Sequence, residues 1–215
     1  RIIGGYADVI VLRHNENDAA QRAERVSSVP IINAGCGSGQ HPTQGLLDLY
    51  TIADECKKIN GLTIALAGDL KFGRTVRSLA YLLGKFENVQ IWFVSPKELR
   101  VGDDIKEYLD RHSVAHKEVE TLEEIIADVD VLYQTRIQTE RMQNTDEAQR
   151  LQAGAYRIAK NLANQMRPGA IIMHPLPRND EIAPEVDALP CAAYFRQAQN
   201  GLYVRMALLQ QVFEK

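Results

Sequence analysis

Short apolar runs rich in β-branched residues alternate with stretches of helical spacing along this chain. The runs are predicted to be strands, and they cover Tyr6–Leu12, Val29–Asn33, Leu62–Ala67, Val89–Val94, Val131–Tyr133 and Ala170–Met173. Strands that alternate with helices favour βαβ units and a parallel sheet. A nearly continuous apolar run such as Leu62–Ala67 suits a sheet that is covered on both faces. The sequence therefore predicts an α/β fold built on doubly wound parallel sheets.

The stretches between the strands have the apolar spacing of amphipathic helices. Helices are predicted at Thr43–Lys57, Arg74–Lys85, Asp103–His112, Leu122–Ala127 and Asp146–Met166, and a last one at Ala193–Phe213. No repeat, low-complexity tract or Pro/Gly/Ser linker divides the chain. The helix at Thr43–Lys57 separates two groups of strands and is the candidate connection between two domains, although a boundary inside a helix is unusual. The pattern alone leaves one domain and two domains equally open.

The composition excludes several classes of protein. Among the 215 residues, 25 are Lys or Arg and 28 are Asp or Glu, so the net charge of −3 offers no basic excess for nucleic acid. No apolar run approaches the roughly 18 residues of a membrane span. The three cysteines form no CxxC pair, which argues against a disulfide scaffold or cysteine-rich zinc site and favours a reducing compartment. Because the chain opens on Arg1 rather than Met, we expect the sequence to begin part-way through a domain.

Basic and polar side chains follow the predicted strands, at the points where open α/β sheets bind ligands beyond their carboxyl ends. The residues concerned are Arg13 and His14, His41 and Gln44, Arg74, Arg136 and Gln138, and His174 with Arg178. Such a concentration of cationic groups in a slightly acidic chain predicts an anion site for several carboxylate or phosphate groups.

Each of these pieces also has an ordinary structural explanation. His41-Pro42 is typical of a helix N-terminus, and the prolines of Pro175–Pro177 stiffen a loop whatever its function. Arg136 can form weak surface ion pairs with nearby carboxylates. His112 and His116 follow no predicted strand and are assigned to the surface. The coincidence of the other groups on one sheet edge is what favours a site.

The stretch Gly68–Thr75 matches the phosphate-binding loop pattern GxxxxGK[ST], except that Arg74 replaces the lysine. An NTPase of that kind also needs an apolar strand that ends in an Asp for magnesium, whereas Asp130 precedes its strand. The bulky side chains between the two glycines are also poorly suited to a loop that wraps a triphosphate. An NTPase is therefore the weaker alternative.

Five motifs together carry a family resemblance. They are His41-Pro-Thr-Gln44, Gly68-Asp-Leu-Lys-Phe-Gly-Arg-Thr-Val-Arg-Ser-Leu79, Tyr133-Gln-Thr-Arg-Ile-Gln-Thr-Glu-Arg141, His174-Pro-Leu-Pro-Arg178 and Ala193-Tyr-Phe-Arg-Gln-Ala198. In order and spacing, the chain resembles the catalytic chains of the aspartate carbamoyltransferase family from Arg1 to about its last helix. The first motif is shared with ornithine carbamoyltransferases, whereas the second, third and fourth resemble the aspartate branch.

The resemblance implies a reaction and an architecture. The reaction transfers the carbamoyl group of carbamoyl phosphate to the α-amino group of L-aspartate, and yields N-carbamoyl-L-aspartate and phosphate in pyrimidine biosynthesis. The architecture consists of two Rossmann-like domains of the aspartate/ornithine carbamoyltransferase fold, the first of them incomplete here. The expected division is 1–58 for part of the carbamoyl-phosphate domain with the interdomain helix, 59–192 for the aspartate domain, and 193–215 for a helix that packs back onto the first domain.

The resemblance also implies which residues would hold the carbamoyl group. Arg13 and His41 would donate hydrogen bonds to its carbonyl oxygen, where charge develops as the amine attacks. Gln44 and the backbone carbonyl of Leu176 would accept hydrogen bonds from its amino group. A cis bond between Leu176 and Pro177, which an X-Pro sequence permits, is expected at that point.

Three further residues are implied for the amino-acid substrate. Arg74 would bind the α-carboxylate of aspartate, and Arg136 with Gln138 would bind the β-carboxylate. Arg136 would repel the ammonium group of ornithine, which favours aspartate. No nucleophile, metal or redox cofactor is expected, because the phosphate leaves with its own charge and catalysis then depends on orientation and electrostatics.

The family pattern is not matched everywhere. Its Ser-Thr-Arg-Thr phosphate loop and the Ser- and Lys-bearing loop of a neighbouring subunit are absent, and Thr139 stands where many relatives carry Lys. The resemblance implies a homotrimer in the cytoplasm, or in a plastid for a plant source, with no nucleic-acid or membrane partner. Regulatory chains and fused enzymes stay open. Two alternative functions also stay open. One is a carbamoyltransferase for another amine such as ornithine, and the other is a catalytically incomplete fragment or binding module.

Overall fold

The computed structural model describes residues 1–138 and 157–214, in which seven strands form two parallel sheets. Strands β1 (Ile10–His14) and β2 (Ile31–Cys36) pair in the smaller sheet and are connected through helix α1 (Ala19–Glu24). Helix α2 (Pro42–Cys56) leads from this sheet to the larger one. The strands of the larger sheet are β3 (Thr63–Ala67), β4 (Gln90–Val94), β5 (Ala115–Val119), β6 (Val131–Gln134) and β7 (Ile171–Met173).

Four further helices complete the described elements. They are α3 (Arg74–Leu83), α4 (Asp103–Arg111), α5 (Lys160–Ala163) and α6 (Tyr194–Phe213), and short 3-10 turns lie at Ile3–Gly5, Lys97–Leu99 and Pro184–Val186. Helix α2 starts with a proline in its first turn, where no backbone N–H is needed. None of the helices in 1–138 and 157–214 has the length and apolar character that crossing a bilayer requires.

The larger sheet has the strand order β5-β4-β3-β6-β7. The chain first moves outward from β3 through β4 to β5, and then returns to the other side of β3 to add β6 and β7. The reversal lies between β3 and β6, and this topological switch point opens the crevice in which such sheets bind ligands.

Apolar side chains cover both faces of the larger sheet. Ile64 and Leu66 of β3 point into a cluster shared with α2, α3 and α4. Ala65 and Ala67 alternate with them and point into a second cluster, formed with residues 122–129 and α5. The predicted doubly wound α/β architecture is therefore confirmed for this sheet.

The last helix, α6, packs along α2. Its Gly201 lies so close to the neighbouring helix that an added methyl group would meet Leu47 at 3.2 Å. Polar contacts tie the same faces together, since Asn200 donates a hydrogen bond to Thr51 at 3.0 Å and Arg196 forms a two-pronged ion pair with Glu55. Helix α6 is thus held against the connection between the two sheets.

Several predicted boundaries are wrong. β1 begins four residues later than the predicted Tyr6 and extends to His14, so Arg13 lies inside the strand rather than after it. Leu122–Ala127 is not a helix but a series of turns, in which Leu122 accepts hydrogen bonds from the N–H groups of Ile125 and Ile126.

The predicted helix at Asp146–Met166 falls largely on residues 139–156, outside the described part of the chain. In its described part Arg157–Ala159 is not helical, because the N–H of Ile158 donates to the carbonyl of Glu181, and only Lys160–Ala163 is helical.

Two elements were not predicted. α1 is only six residues long, and β5 has the polar composition that edge strands use to prevent further pairing. His116, assigned to the surface from the sequence, lies in β5 with its ring largely buried and edge-on to Phe93 at 6.1 Å. His112 is exposed, as predicted.

Candidate active site

A cavity of about 220 Å³ lies at the switch point of the larger sheet, and the end of β1 contributes to its wall. The eight site residues predicted from the sequence all line it. The lining consists of Arg13, His41, Gln44, Gly73, Arg74, Thr75, Thr135, Arg136, Gln138, His174, Pro175, Leu176 and Pro177. Segments far apart in the sequence therefore meet at one edge of the fold, as the strand-end pattern predicts.

Gly35, near the end of β2, allows two of the side chains that line the cavity, those of Arg74 and His41, to approach the backbone. Its φ of +109° is a conformation that favours glycine, and an added methyl group would lie 3.1 Å from Cζ of Arg74 and 3.2 Å from Cδ2 of His41. The Arg74 guanidinium is anchored beside it by a hydrogen bond of 3.1 Å to the carbonyl of Gly37. The smaller sheet thus shapes one wall of the cavity.

His41 precedes the first turn of α2, and its backbone N–H donates to Oγ of Ser78 at 2.8 Å. Burial lowers the pKa of its imidazole to about 4, and the positive charges of Arg74, Arg13 and Arg205 add to this effect. At neutral pH the ring is therefore uncharged. A neutral imidazole can still donate one N–H to an oxygen in the cavity.

The loop after β3 brings Arg74 to the start of α3, but it does not form a phosphate cradle. The backbone N–H of Asp69 donates to Thr135, that of Leu70 to Leu99, and that of Phe72 to Oδ1 of Asp69. Because these N–H groups are already used within the protein, they cannot wrap a triphosphate. The NTPase alternative is therefore not supported.

The loop after β6 is fixed on both sides of Arg136. Oγ1 of Thr135 donates to the carbonyl of Ala67 at 3.0 Å, and Oδ2 of the buried Asp69 accepts the backbone N–H of Gln138 at 3.1 Å. Gly68 makes the close approach of the two loops possible, since an added methyl group would lie 2.3 Å from the Thr135 carbonyl oxygen. Arg136 is thus presented to the cavity from a well-anchored turn.

The loop after β7 is organised by His174, which is almost completely buried. Its Nε2 pairs with Oε1 of Glu181 at 2.8 Å, and its Nδ1 accepts the N–H of Leu176 at 2.9 Å. Burial alone would raise the pKa of Glu181, but hydrogen bonds from His174 and the backbone keep it below its usual value. The expected cis bond between Leu176 and Pro177 is present.

The described lining carries the guanidinium groups of Arg13, Arg74 and Arg136 and no acidic side chain. This accords with the prediction of a site for several anionic groups. Two of the predicted strand-end groups, His14 and Arg178, do not line the cavity. Arg178 instead pairs with Asp187 and the hydroxyl of Tyr194.

Sequence reasoning missed two contributors. Arg205 of α6 lowers the pKa of His41, and Asp48 of α2 accepts a hydrogen bond from Gln44. The sequence does carry a signal for Arg205. Gln197, Gly201 and Arg205 are four residues apart, which places them on one face of α6, the face that packs on α2. Across residues 1–138 and 157–214, no group of three or more His, Cys, Asp or Glu side chains is placed to hold a metal ion.

Fold and site together define a class: a doubly wound α/β protein whose cationic ligand site lies at the topological switch point. Residues 60–212 match the family described as aspartate/ornithine carbamoyltransferase, Asp/Orn binding domain, and residues 1–54 match its carbamoyl-P binding domain. The chain therefore belongs to the aspartate/ornithine carbamoyltransferase family.

Individual relatives point to the aspartate branch of that family. The chain is 53% identical over 210 residues to the chloroplastic aspartate carbamoyltransferase of Arabidopsis thaliana, a match that covers 98% of this chain and 54% of the relative. It is 53% identical over 214 residues to the aspartate carbamoyltransferase catalytic subunit of Methanocaldococcus jannaschii, covering 100% of this chain and 69% of the relative. The chain thus spans about half the length of the plant relatives it matches.

A solved structure supports the likeness in three dimensions. Aspartate transcarbamoylase from Trypanosoma cruzi, in complex with carbamoyl phosphate and aspartate, superposes with a TM-score of 0.92 at 42% sequence identity. The match covers 97% of this chain and 68% of the Trypanosoma chain. The predicted carbamoyltransferase fold is confirmed by this likeness.

Proposed function

We propose that this protein is a carbamoyltransferase that transfers the carbamoyl group of carbamoyl phosphate to the α-amino group of L-aspartate. The observation that carries the proposal is the collection of all eight predicted site residues around one cationic cavity. The complex of the Trypanosoma cruzi relative with both of these substrates supports it. The products would be N-carbamoyl-L-aspartate and phosphate, a step of pyrimidine biosynthesis.

The carbamoyl carbonyl oxygen is assigned to Arg13 and His41. The aspartate nitrogen forms a bond to the carbonyl carbon, and the oxygen gains negative charge before the bond to phosphate breaks. Donors aimed at that oxygen are typically worth about 3–4 kcal/mol in the transition state. The low pKa of His41 keeps this donor neutral at pH 7, while Arg13 supplies the positive charge.

The carbamoyl amino group is assigned to two acceptors, the side-chain oxygen of Gln44 and the carbonyl oxygen of Leu176. The phosphate leaves with the electron pair of the broken bond and can accept the proton that the amine loses. The bond changes are therefore balanced without a redox step, and no cofactor is proposed. Catalysis then rests on holding both substrates in a reactive orientation.

Selectivity for aspartate is assigned to three residues. Arg74 binds the α-carboxylate, and Arg136 with Gln138 binds the β-carboxylate. Ornithine would bring an ammonium group to Arg136 in place of a carboxylate, and loss of such a charge pair costs about 2–5 kcal/mol, or roughly thirtyfold upward in affinity. We therefore favour aspartate over ornithine as the second substrate.

We also propose the division of the chain into 1–58, 59–192 and 193–215. The separate sheets on either side of α2 and the packing of α6 on α2 support it. A homotrimer, with active sites near subunit interfaces, and a cytoplasmic or plastid location remain part of the proposal. The chloroplastic naming of the plant relatives supports the plastid alternative.

The direct test is release of phosphate by the purified chain. We expect release only when carbamoyl phosphate and L-aspartate are both present, and equal turnover with ornithine would reject the substrate assignment. Calorimetry with N-(phosphonacetyl)-L-aspartate, which joins the two substrate halves, separates an enzyme from a partial binding module. Binding without turnover would favour the module.

A further inference from the structure

Asp48 of α2 is completely buried beneath the cavity and receives hydrogen bonds from three different elements. Oδ1 accepts Nε2 of Gln44 at 2.8 Å and Nε2 of Gln197 at 2.6 Å, and Oδ2 accepts the hydroxyl of Tyr133 at 2.7 Å. One carboxyl group thus joins α2, β6 and α6 behind the site. Asp48 does not itself line the cavity.

The first branch fixes the amide of Gln44. An amide has one acceptor end and one donor end, and Oδ1 of Asp48 takes the donor end. The oxygen of Gln44 is then the end left for a ligand, and Gln44 lines the cavity. A ligand at this point is therefore recognised by the hydrogen it donates.

The second branch reaches the loop that carries Leu176. The donor end of Gln197 is held by Asp48, so its oxygen accepts the backbone N–H of His174 at 2.8 Å. Nδ1 of His174 in turn accepts the N–H of Leu176 at 2.9 Å. The backbone of Leu176 is connected to Asp48 through two further residues, each of them almost fully buried.

We infer that Asp48 is the positioning residue for recognition of the carbamoyl amino group, because its carboxyl oxygen holds both the Gln44 amide and the Leu176 loop in accepting orientation. The inference rests on the proposed function, since it concerns the same cavity. It adds a residue that touches neither substrate. Without Oδ1 of Asp48, the side-chain oxygen of Gln44 and the carbonyl of Leu176 lose their common anchor. The residues assigned to the aspartate carboxylates keep their own anchors.

The test uses a pair of ligands that differ at the amino group alone. Carbamoyl phosphate carries NH2 where acetyl phosphate carries CH3, so the ratio of their affinities measures recognition of that group. We expect Asp48→Ala to lower the preference for carbamoyl phosphate by about tenfold, the scale that corresponds to the net contribution of one hydrogen bond. Asp48→Asn should retain the preference, because Asn keeps an oxygen at Oδ1 and can donate from its nitrogen to Tyr133.

Thr51 provides a matched control one turn further along α2. It is also completely buried and also bridges to α6, through Asn200 at 3.0 Å, but its hydroxyl donates to the carbonyl of Leu47 rather than holding Gln44. Thr51→Val should lower the affinities for both phosphates together, if at all, and leave their ratio unchanged. An unchanged ratio in Asp48→Ala, or an equal loss of ratio in Thr51→Val, would overturn the inference.

A second readout separates this inference from the proposed function. If the wild-type chain binds neither carbamoyl phosphate nor acetyl phosphate, the proposed function fails. The side-chain amide NMR signals of Gln44 and Gln197 then test whether Asp48 orients these two amides. Both should lose their protection from solvent exchange in Asp48→Ala and keep it in Thr51→Val; unchanged Gln44 signals would overturn the inference. If Asp48→Ala does not fold, Gln197→Met interrupts the Leu176 branch alone, and an unchanged ligand ratio in that variant is the contrary result.

Discussion

The buried carboxyl of Asp48 predicts how stability changes with pH. Burial raises the pKa of Asp48 from the usual 3.8 to about 7, and the hydrogen bonds from Tyr133, Gln197 and Gln44 only partly oppose this. In the unfolded chain the same group titrates near its usual value. The difference between the two pKa values corresponds to roughly 4 kcal/mol.

The sign follows from which state holds the proton. Below about pH 4 both states are protonated at Asp48, and the group has no net effect on the free energy of unfolding. Between about pH 4 and about pH 7 the unfolded state loses this proton and the folded state keeps it, so stability falls as the pH rises. Above about pH 7 the loss is complete and stays constant.

The measurement compares the wild type with Asp48→Asn by urea unfolding from about pH 4 to about pH 8. The comparison is necessary because the low pKa of His41 changes stability with pH in the opposite direction. From about pH 4 to the usual histidine pKa of 6.5, His41 makes the free energy of unfolding rise. Asp48→Asn removes only the fall in stability that the titration of Asp48 causes. Relative to the wild type, the variant should therefore gain up to roughly 4 kcal/mol between the two ends of the range.

Thr51→Val serves again as the control, since it removes a buried polar group without changing a titration. Its difference from the wild type should be independent of pH. A flat difference for Asp48→Asn would refute the reasoning. A difference of the opposite sign would show that Asp48 ionises more easily in the folded chain than in the unfolded one.

Three further predictions follow from single contacts. Arg136→Ala should weaken aspartate binding by about thirtyfold or more and carbamoyl phosphate binding far less, as measured by steady-state kinetics; comparable losses would contradict its assigned role. Gly35→Ala and Gly61→Ala both force a side chain into positive φ at about 1–2 kcal/mol, but only the former meets cavity groups. Calorimetry with N-(phosphonacetyl)-L-aspartate should therefore show weaker binding for Gly35→Ala alone, and equal losses would contradict this. A double-mutant cycle on Arg196 and Glu55 should give a coupling of about 0.5–1 kcal/mol in urea unfolding, because the pair is partly exposed; a value near zero would leave α6 held by its buried contacts.

The strands that position the site could be predicted because their signal is local. β3, β4 and β6 are short apolar runs, and each fell within a residue or two of its predicted bounds. β5 carries no such signal, since its assignment depends on pairing with β4. Its polar residues serve the edge of the sheet, a position that exists only once the sheet has formed.

The candidate site could be predicted because parallel strands bring their carboxyl ends to the same edge. That rule depends on strand ends alone and takes no account of side-chain contacts, so it also predicts Arg178 as a site residue. Arg178 and Asp187 are nine positions apart, and no local pattern indicates that the chain between them brings the two side chains into an ion pair. Side-chain direction, unlike strand order, has to be observed.

Asp48 shows the limit most clearly. In the sequence it is one polar residue in an amphipathic helix, a position at which a solvated side chain is the ordinary expectation. Its partners Tyr133 and Gln197 lie 85 and 149 residues away, and neither belongs to a spacing that would connect it with α2. Burial of a carboxyl is costly unless hydrogen bonds satisfy its oxygens, and Asp48 receives three of them. Here they reach the Gln44 amide and, through Gln197, the loop of Leu176. The last helix therefore contributes to the site through a buried amide and through the charge of Arg205 near His41, although none of its residues lines the cavity.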